Sequence, residues 1–289
     1  MIRITETVRD ALQGLKTFVP TDIKIQYVNL LLKAGFDVLD VGSFVSPGII
    51  PQMADTPEVV GNIEQHPATT RIMVLVVNAK SVQRALSFPN IQVLSYPFSV
   101  SPTFLRRNLN TTPEGALQNL KTMMELTSGK NISWLVYLSM GLGNPYGDPW
   151  SPSMVADIAG ELYSLGIRNM PLSDILGQAR PETIFEVYEN LIPSFPDVDF
   201  GLHLHTRPNE SYAKLEAAWD AGVRSIETVL GGLGGCPTAA STMVGNLDTM
   251  SLLQFCKEKG IATHIDEQIL AQALTLTTSF PVDTQGGVM

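Results

Sequence analysis

Two histidines, His203 and His205, stand one residue apart at the end of Val198-Asp199-Phe200-Gly201-Leu202, an apolar run that reads as a strand. Side chains alternate faces along a strand, so both imidazoles share one surface. Two imidazoles on one face at a strand end are half of a metal site. The competing reading makes one a hydrogen-bonded core residue and the other a loop residue. With four histidines in the whole chain, the pairing at this spacing puts the two readings level. A second candidate is Cys236, which follows Gly231-Gly232-Leu233-Gly234-Gly235 in an expected loop, where a thiol is available for chemistry. Cys256, inside Leu252-Leu253-Gln254-Phe255, reads instead as a buried apolar residue. Arg9-Asp10 taken alone needs no more than a local ion pair, and His66 and His264 read as surface residues.

The elements that must position these residues alternate along the chain. Runs rich in Val, Ile and Leu lie at 2–5, 37–42, 71–77, 91–97, 132–139, 167–172, 198–204 and 224–230, and amphipathic stretches separate them: 22–33, 113–126, 153–165, 182–192 and 210–221. Three of these stretches close on glycine, at Gly35, Gly166 and Gly222, where a left-handed helix cap is expected. Eight strands alternating with helices predict a parallel (β/α)8 TIM barrel over about 2–250, with short additional C-terminal helices over about 251–284, as one domain spanning 1–289. An open doubly wound sheet is disfavoured because Thr5-Glu6-Thr7-Val8-Arg9-Asp10 carries no glycine fingerprint for a dinucleotide. In a barrel, chemistry belongs at the C-terminal ends of the strands. Polar residues gather there: Glu6, Arg9, Asp10 and Gln13 after strand one, Asp40 and Ser43 at strand two, Ser173-Asp174 at strand six and the two histidines at strand seven.

Composition narrows the function. The chain has 289 residues, 44% of them hydrophobic, enough for a large core, and a net charge of −9 at a pI of 4.9. That balance argues against nucleic-acid or anionic-membrane partners, since nothing would neutralise phosphates in bulk. No apolar run approaches the roughly 20 residues that span a bilayer. Two cysteines suit free thiols in a reducing compartment, so a cytoplasmic location is expected. The oligomeric state stays open, a homodimer included.

Taken together, Arg9-Asp10-x-Leu12-Gln13, Ser43-Phe44-Val45-Ser46-Pro47 with Pro51-Gln52-Met53-Ala54-Asp55, Asn144-Pro145-Tyr146, His203-x-His205, Gly232-Leu233-Gly234-Gly235-Cys236-Pro237 and Gly245-Asn246-Leu247 resemble the 3-hydroxy-3-methylglutaryl-CoA lyase family over about residues 3–250. The resemblance implies a (β/α)8 barrel that cleaves a β-hydroxy acyl-CoA thioester to acetyl-CoA and acetoacetate by retro-Claisen chemistry. It implies Asp10, His203, His205 and Asn246 as ligands of a divalent metal, Mg2+ or Mn2+, with Arg9 as an electrophilic clamp and Cys236 as the thiol that protonates the departing carbanion. Gln13, Ser43, Asp40, Glu6 and Lys16 match positions near the substrate, and the general base is either His203 or Asp174. One carboxylate, two imidazoles and an amide oxygen form a mixed oxygen and nitrogen set suited to such an ion, with positions left for substrate oxygens.

The chain also departs from the family. Where the family continues after the second histidine with Asp-Thr-aromatic-Gly, this sequence has Thr206-Arg207-Pro208-Asn209-Glu210, and losing that acid is expected to loosen the histidine ligand. The spacing from Cys236 to Asn246 is one residue longer than usual in the family. Two other functions are weighed. An aldolase or Claisen-type synthase acting on 2-oxo acids shares Arg-Asp and His-x-His but carries long C-terminal additions for which 289 residues leave no room. A catalytically inactive barrel that binds an acyl thioester would be expected to have lost a ligand, and all four ligand positions are filled.

Overall fold

The structure is a computed structural model that describes residues 2–64, 70–234 and 244–281. Strands β1 (Arg3–Glu6), β2 (Val38–Ser43), β3 (Arg71–Leu75), β4 (Ile91–Tyr96), β5 (Ser133–Val136), β6 (Leu138–Ser139), β7 (Leu172–Asp174), β8 (Leu202–Leu204) and β9 (Ser225–Thr228) form one sheet in the order β5-β4-β3-β2-β1-β9-β8-β7-β6. All named pairs run parallel. The two ends of that order are one piece of chain, because β5 and β6 are separated only by Tyr137. Along this piece successive amides point to alternate sides: Tyr137 N to Tyr96 O (3.0 Å) and Leu138 N to Pro171 O (2.8 Å). The sheet therefore closes on itself as a barrel of eight staves, the TIM barrel that the alternation predicts.

Two staves have shorter ladders than their apolar runs. In 167–172 and 198–204 the continuous ladder is confined to β7 and β8. Pro171 explains this, since it has no N–H to donate. Met170 N to Asp199 O and Leu172 N to Gly201 O, both 2.9 Å, keep the two segments side by side across the gap.

Helices fill the connections. After β1 come α1 (Val8–Gln13) and α2 (Thr21–Lys33), after β2 α3 (Thr56–Asn62), after β3 α4 (Ala79–Ala85), and after β4 α5 (Pro102–Leu109) and α6 (Pro113–Leu126). Then follow α7 (Pro152–Ser164), α8 (Pro181–Ser194) and α9 (Pro208–Asp220). Each helix from α5 to α9 begins with proline, whose fixed φ suits the first turn and whose missing N–H would have no helical partner there. That is why α7, α8 and α9 start one or two residues before their apolar periodicity does. Hydroxyls of Ser101, Thr112 and Ser151 accept the N3 amides of α5, α6 and α7. The helices bury one face on the staves, and Tyr188 on α8 adds a bond from its hydroxyl to Gly201 O at 2.6 Å.

The C-terminal helices are α10 (Thr249–Glu258) and α11 (Glu267–Thr277). Helix α11 returns to α2: Asp266 N donates to Ala34 O at 2.8 Å and Phe280 packs edge-on against Tyr27. Among the described residues no helix is long and apolar enough to cross a membrane. Gly35 has φ +94°, the left-handed cap that its position after Ala34 predicts, and a Cβ there would lie 2.5 Å from His264 O. Gly35→Ala combines a disfavoured φ with a backbone clash, and should cost about 2 kcal/mol or more, read as a lower urea midpoint at unchanged slope.

Candidate metal centre and active site

Helix α1 follows β1 with one residue between, so Arg9, Asp10 and Gln13 stand at the C-terminal rim. His203 lies in β8 and His205 just past its end. Their neighbours come from adjoining staves: Asp174 pairs with Leu204, and Glu227 pairs directly with His203. Asp10 Oδ2 lies 3.3 Å from His203 Nε2 and 3.8 Å from His205 Nε2. One donor atom from each of these three buried residues fits within 4.8 Å of the other two. Segment 244–248 runs beside β8, with Asn246 bridged to His205. The Asn246 amide nitrogen donates to Leu233 O at 2.9 Å, which leaves its oxygen as the atom able to face a cation. Asp10, His203 and His205 thus meet at one place, and the backbone bridge brings Asn246 alongside His205.

The electrostatics of this place favour positive charge. Asp10, Asp40 and Glu227 are buried carboxylates, and Arg9 is the fixed cation among them. Arg9 donates from Nε to Asp40 Oδ2 (2.7 Å) and from Nη1 to Gln13 Oε1 (3.0 Å), with Asp10 Oδ1 at 3.4 Å. Gln13 in turn bonds Asp10. Burial raises the Asp40 carboxyl to about 6, since Glu227 and Asp10 offset the pull of Arg9. Burial opposes ionisation of Asp10 too, but Arg9 and the two imidazoles hold it well below the usual range. The His203 imidazole, depressed by burial but flanked by Asp10 and Glu227, ends up raised to about 10, whereas burial lowers that of His205. A site that draws a proton onto an imidazole also draws a metal cation, and its donors match a hard divalent ion.

Glu227 is the residue that sequence reasoning missed. Its Oε2 takes His203 Nδ1 at 2.8 Å and the Tyr137 hydroxyl at 3.0 Å, and so fixes the ring whose Nε2 faces Asp10. An acid inside the apolar run 224–230 was the available signal. His205 is oriented by Val244 O, 3.1 Å from Nδ1. Orientation of the histidine pair therefore comes from Glu227 and a backbone carbonyl, and the acid absent at Thr206 is not needed for it. Arg207 turns outward to Glu210 at 3.3 Å.

Other expected residues fall at varying distances from this centre. Asp174 accepts Leu176 N (3.2 Å) and Ala179 N (2.7 Å), and edges a cavity of about 230 Å³ whose wall includes Leu142, Asn144, Trp150, Leu176 and Arg180. Ser43 holds its own turn, through Val45 N at 3.1 Å, and Lys16 is exposed beyond α1. Glu6 departs from the expectation of a substrate contact. It is fully buried, taking Leu230 N (2.6 Å), Thr249 Oγ1 (2.7 Å) and Thr228 Oγ1 (3.2 Å), so it fastens β1 to both ends of the segment that carries Asn246. Burial raises its carboxyl to about 8 against the pull of those bonds. Cys236 lies outside the described residues.

With this geometry in view, comparison with known proteins is decisive. The family model described as HMGL-like matches residues 2–276. The chain belongs to the HMGL-like family. It is 33% identical to the mitochondrial hydroxymethylglutaryl-CoA lyase of Mus musculus, over 92% of this chain and 81% of that protein. To the cytoplasmic 3-hydroxy-3-methylglutaryl-CoA lyase of Rattus norvegicus it is 32% identical, over 89% and 74%. Among solved structures, an HMG-CoA lyase from Acinetobacter baumannii in complex with coenzyme A and 3-methylmalate superposes with a TM-score of 0.89 at 29% identity, covering 100% of this chain and 98% of that one. This HMGL-like chain shares its barrel with the carboxyl transferase domain of Rhizobium etli pyruvate carboxylase as well, at 14% identity a likeness of fold alone.

Mn2+ titrated into metal-free protein and followed by electron paramagnetic resonance should bind at about one ion per chain. His205→Ala should abolish that binding and Glu227→Gln should weaken it by about 10–100-fold; equal affinity in the Gln variant would remove Glu227 from the site. Glu6 gives a pH signature. Its folded pKa, near 8, is above the 4.5 of an ordinary glutamate, so its contribution to stability is full below pH 4.5 and is lost as pH rises through about 8. Urea melts across that window should show the decline, and Glu6→Gln should flatten it.

Proposed function

We propose that this chain cleaves 3-hydroxy-3-methylglutaryl-CoA to acetyl-CoA and acetoacetate. The observation that carries the reading is the meeting of Asp10, His203 and His205 at the barrel rim, beside an arginine fixed by Asp40. Family membership and the lyase relatives support it.

The reaction removes the proton of the tertiary hydroxyl and turns that C–O bond into a carbonyl. The adjoining carbon-carbon bond breaks, and its electron pair leaves as the enolate of the thioester, which is then protonated on carbon. Mg2+ or Mn2+ held by Asp10, His203, His205 and Asn246 would supply Lewis-acid polarisation of the substrate's hydroxyl and carboxylate oxygens. Of the two bases considered, Asp174 fits better. Both ring nitrogens of His203 already face carboxylates, whereas Asp174 borders the cavity, and each of its oxygens keeps a lone pair beyond the backbone amide it accepts. Arg9 is anchored through Nε by Asp40 and through Nη1 by Gln13, and Nη2 is its donor to the oxygen on which enolate charge develops in this reading. Cys236 is the proton donor to the departing carbon in this reading. The cavity beside Asp174, apolar at Leu142 and Trp150 and cationic at Arg180, suits the thioester chain of an anionic carrier. Two cysteines in 289 residues accord with a reducing compartment such as the cytoplasm.

Purified protein loaded with Mg2+ and given a panel of β-hydroxy acyl-CoA thioesters should release acetyl-CoA fastest from the 3-hydroxy-3-methylglutaryl member. Release from none of them, or aldol cleavage of 2-oxo acid substrates instead, would overturn the proposal.

A further inference from the structure

The loop after the sixth stave, residues 175–179, is gripped from two sides, and the outer grip belongs to no residue assigned so far. Inside, Asp174 accepts the amides of Leu176 and Ala179. Outside, Lys214 on α9 donates from Nζ to Gly177 O at 2.8 Å, with Glu210 Oε2 at 3.3 Å. Lys214 is 3% exposed. A buried ammonium carries a desolvation cost that an apolar side chain of similar length would avoid, so packing alone does not account for a lysine here.

Its partner is the tightest point of the loop. Gly177 has φ +69°, and a Cβ on it would lie 2.9 Å from His205 O and 3.0 Å from Val244 Cγ1. Gly177 is thus seated against the backbone of a proposed metal ligand. Its neighbours Leu176, Gln178 and Ala179 form part of the cavity wall beside Asp174.

We propose that Lys214 is a positioning residue: by holding Gly177 it fixes the 175–179 loop, and so sets the cavity wall and the aim of Asp174 toward a bound acyl thioester. The kinetic consequence rests on the lyase reading above; the structural one does not. A substrate lying along the wall feels a displaced loop. Asp10 and His203 feel it little, because Arg9, Gln13 and Glu227 hold them, and the His205 ring keeps its own bond to Val244 O although its backbone touches Gly177.

The test compares Lys214→Met, which keeps the length and removes the donor, with Lys214→Gln and Lys214→Arg, which keep one. In Mn2+-loaded protein, hydrogen exchange at the Leu176 and Ala179 amides should quicken about tenfold or more in the Met variant and return toward wild type in Arg, with Gln between. KM for the thioester should rise about tenfold in Met and kcat should fall about two- to tenfold as Asp174 loses its aim, with Mn2+ affinity and melting temperature close to wild type. Unchanged exchange at both amides overturns the proposal. So does a parallel fall of kcat, Mn2+ affinity and melting temperature with no separate change in KM, the mark of a purely structural lysine. A wild-type protein that turns over no thioester would sink the lyase reading, and the exchange measurement would still decide the role of Lys214. Should the Met variant not fold, the Gln variant is read at the same two amides.

Discussion

Three buried carboxylates gathered around one guanidinium set the terms for the top of this barrel. Asp10 on α1, Asp40 on β2 and Glu227 on β9 reach the same region, and among the described residues Arg9 is the permanent counter-charge there. Taking carboxylates out of water is costly unless opposite charge meets them, and this cluster is short of it. Its response is visible in the opposed directions of its groups: the Asp40 carboxyl is pushed up, the Asp10 carboxyl down, and the His203 imidazole up. Such a cluster is a poor way to stabilise a fold and a good way to hold a dication.

The rest of the rim keeps that cluster in one geometry. Glu227 and Tyr137 fix the ring of His203, Gln13 ties Arg9 to Asp10, and a carbonyl steers His205. Asp40 Oδ1 and Glu227 Oε1 are buried without a hydrogen-bond partner among the described residues. Unsatisfied buried oxygens destabilise a fold, and finding two of them in this one cluster marks a place where stability is given up for function.

Much of this was legible in the sequence because local chemistry dictates it. Short runs rich in Val, Ile and Leu marked the staves, glycine after a helix marked left-handed caps at Gly35, Gly166 and Gly222, and His203-x-His205 marked a shared face. Boundaries were less legible. Pro171 interrupts a ladder that its apolar neighbours promise, and proline starts helices ahead of their periodicity. Glu227 was hidden because its meaning lies in register: it is a single acid in an apolar run until β8 and β9 pair it with His203. Glu6 misled for the complementary reason. Its place at the end of β1 looks like the rim, yet three donors from 228–249 claim it. Which face a strand-end side chain takes is decided by partners more than two hundred residues away, and no local pattern reports them.

The pairing of the first stave with the last has a temporal side. Arg3 to Glu6 find their ladder partners at Ser225 to Thr228, and Glu6 is not satisfied until Thr249 is in place. A chain emerging from the ribosome therefore carries its opening strand unpaired on one edge through most of its synthesis. Contacts of such long sequence separation form slowly and late. Asp10, one turn beyond that strand, cannot meet His203 until the ring is shut, so competence to hold an ion arrives together with closure and serves as a readout of completed folding.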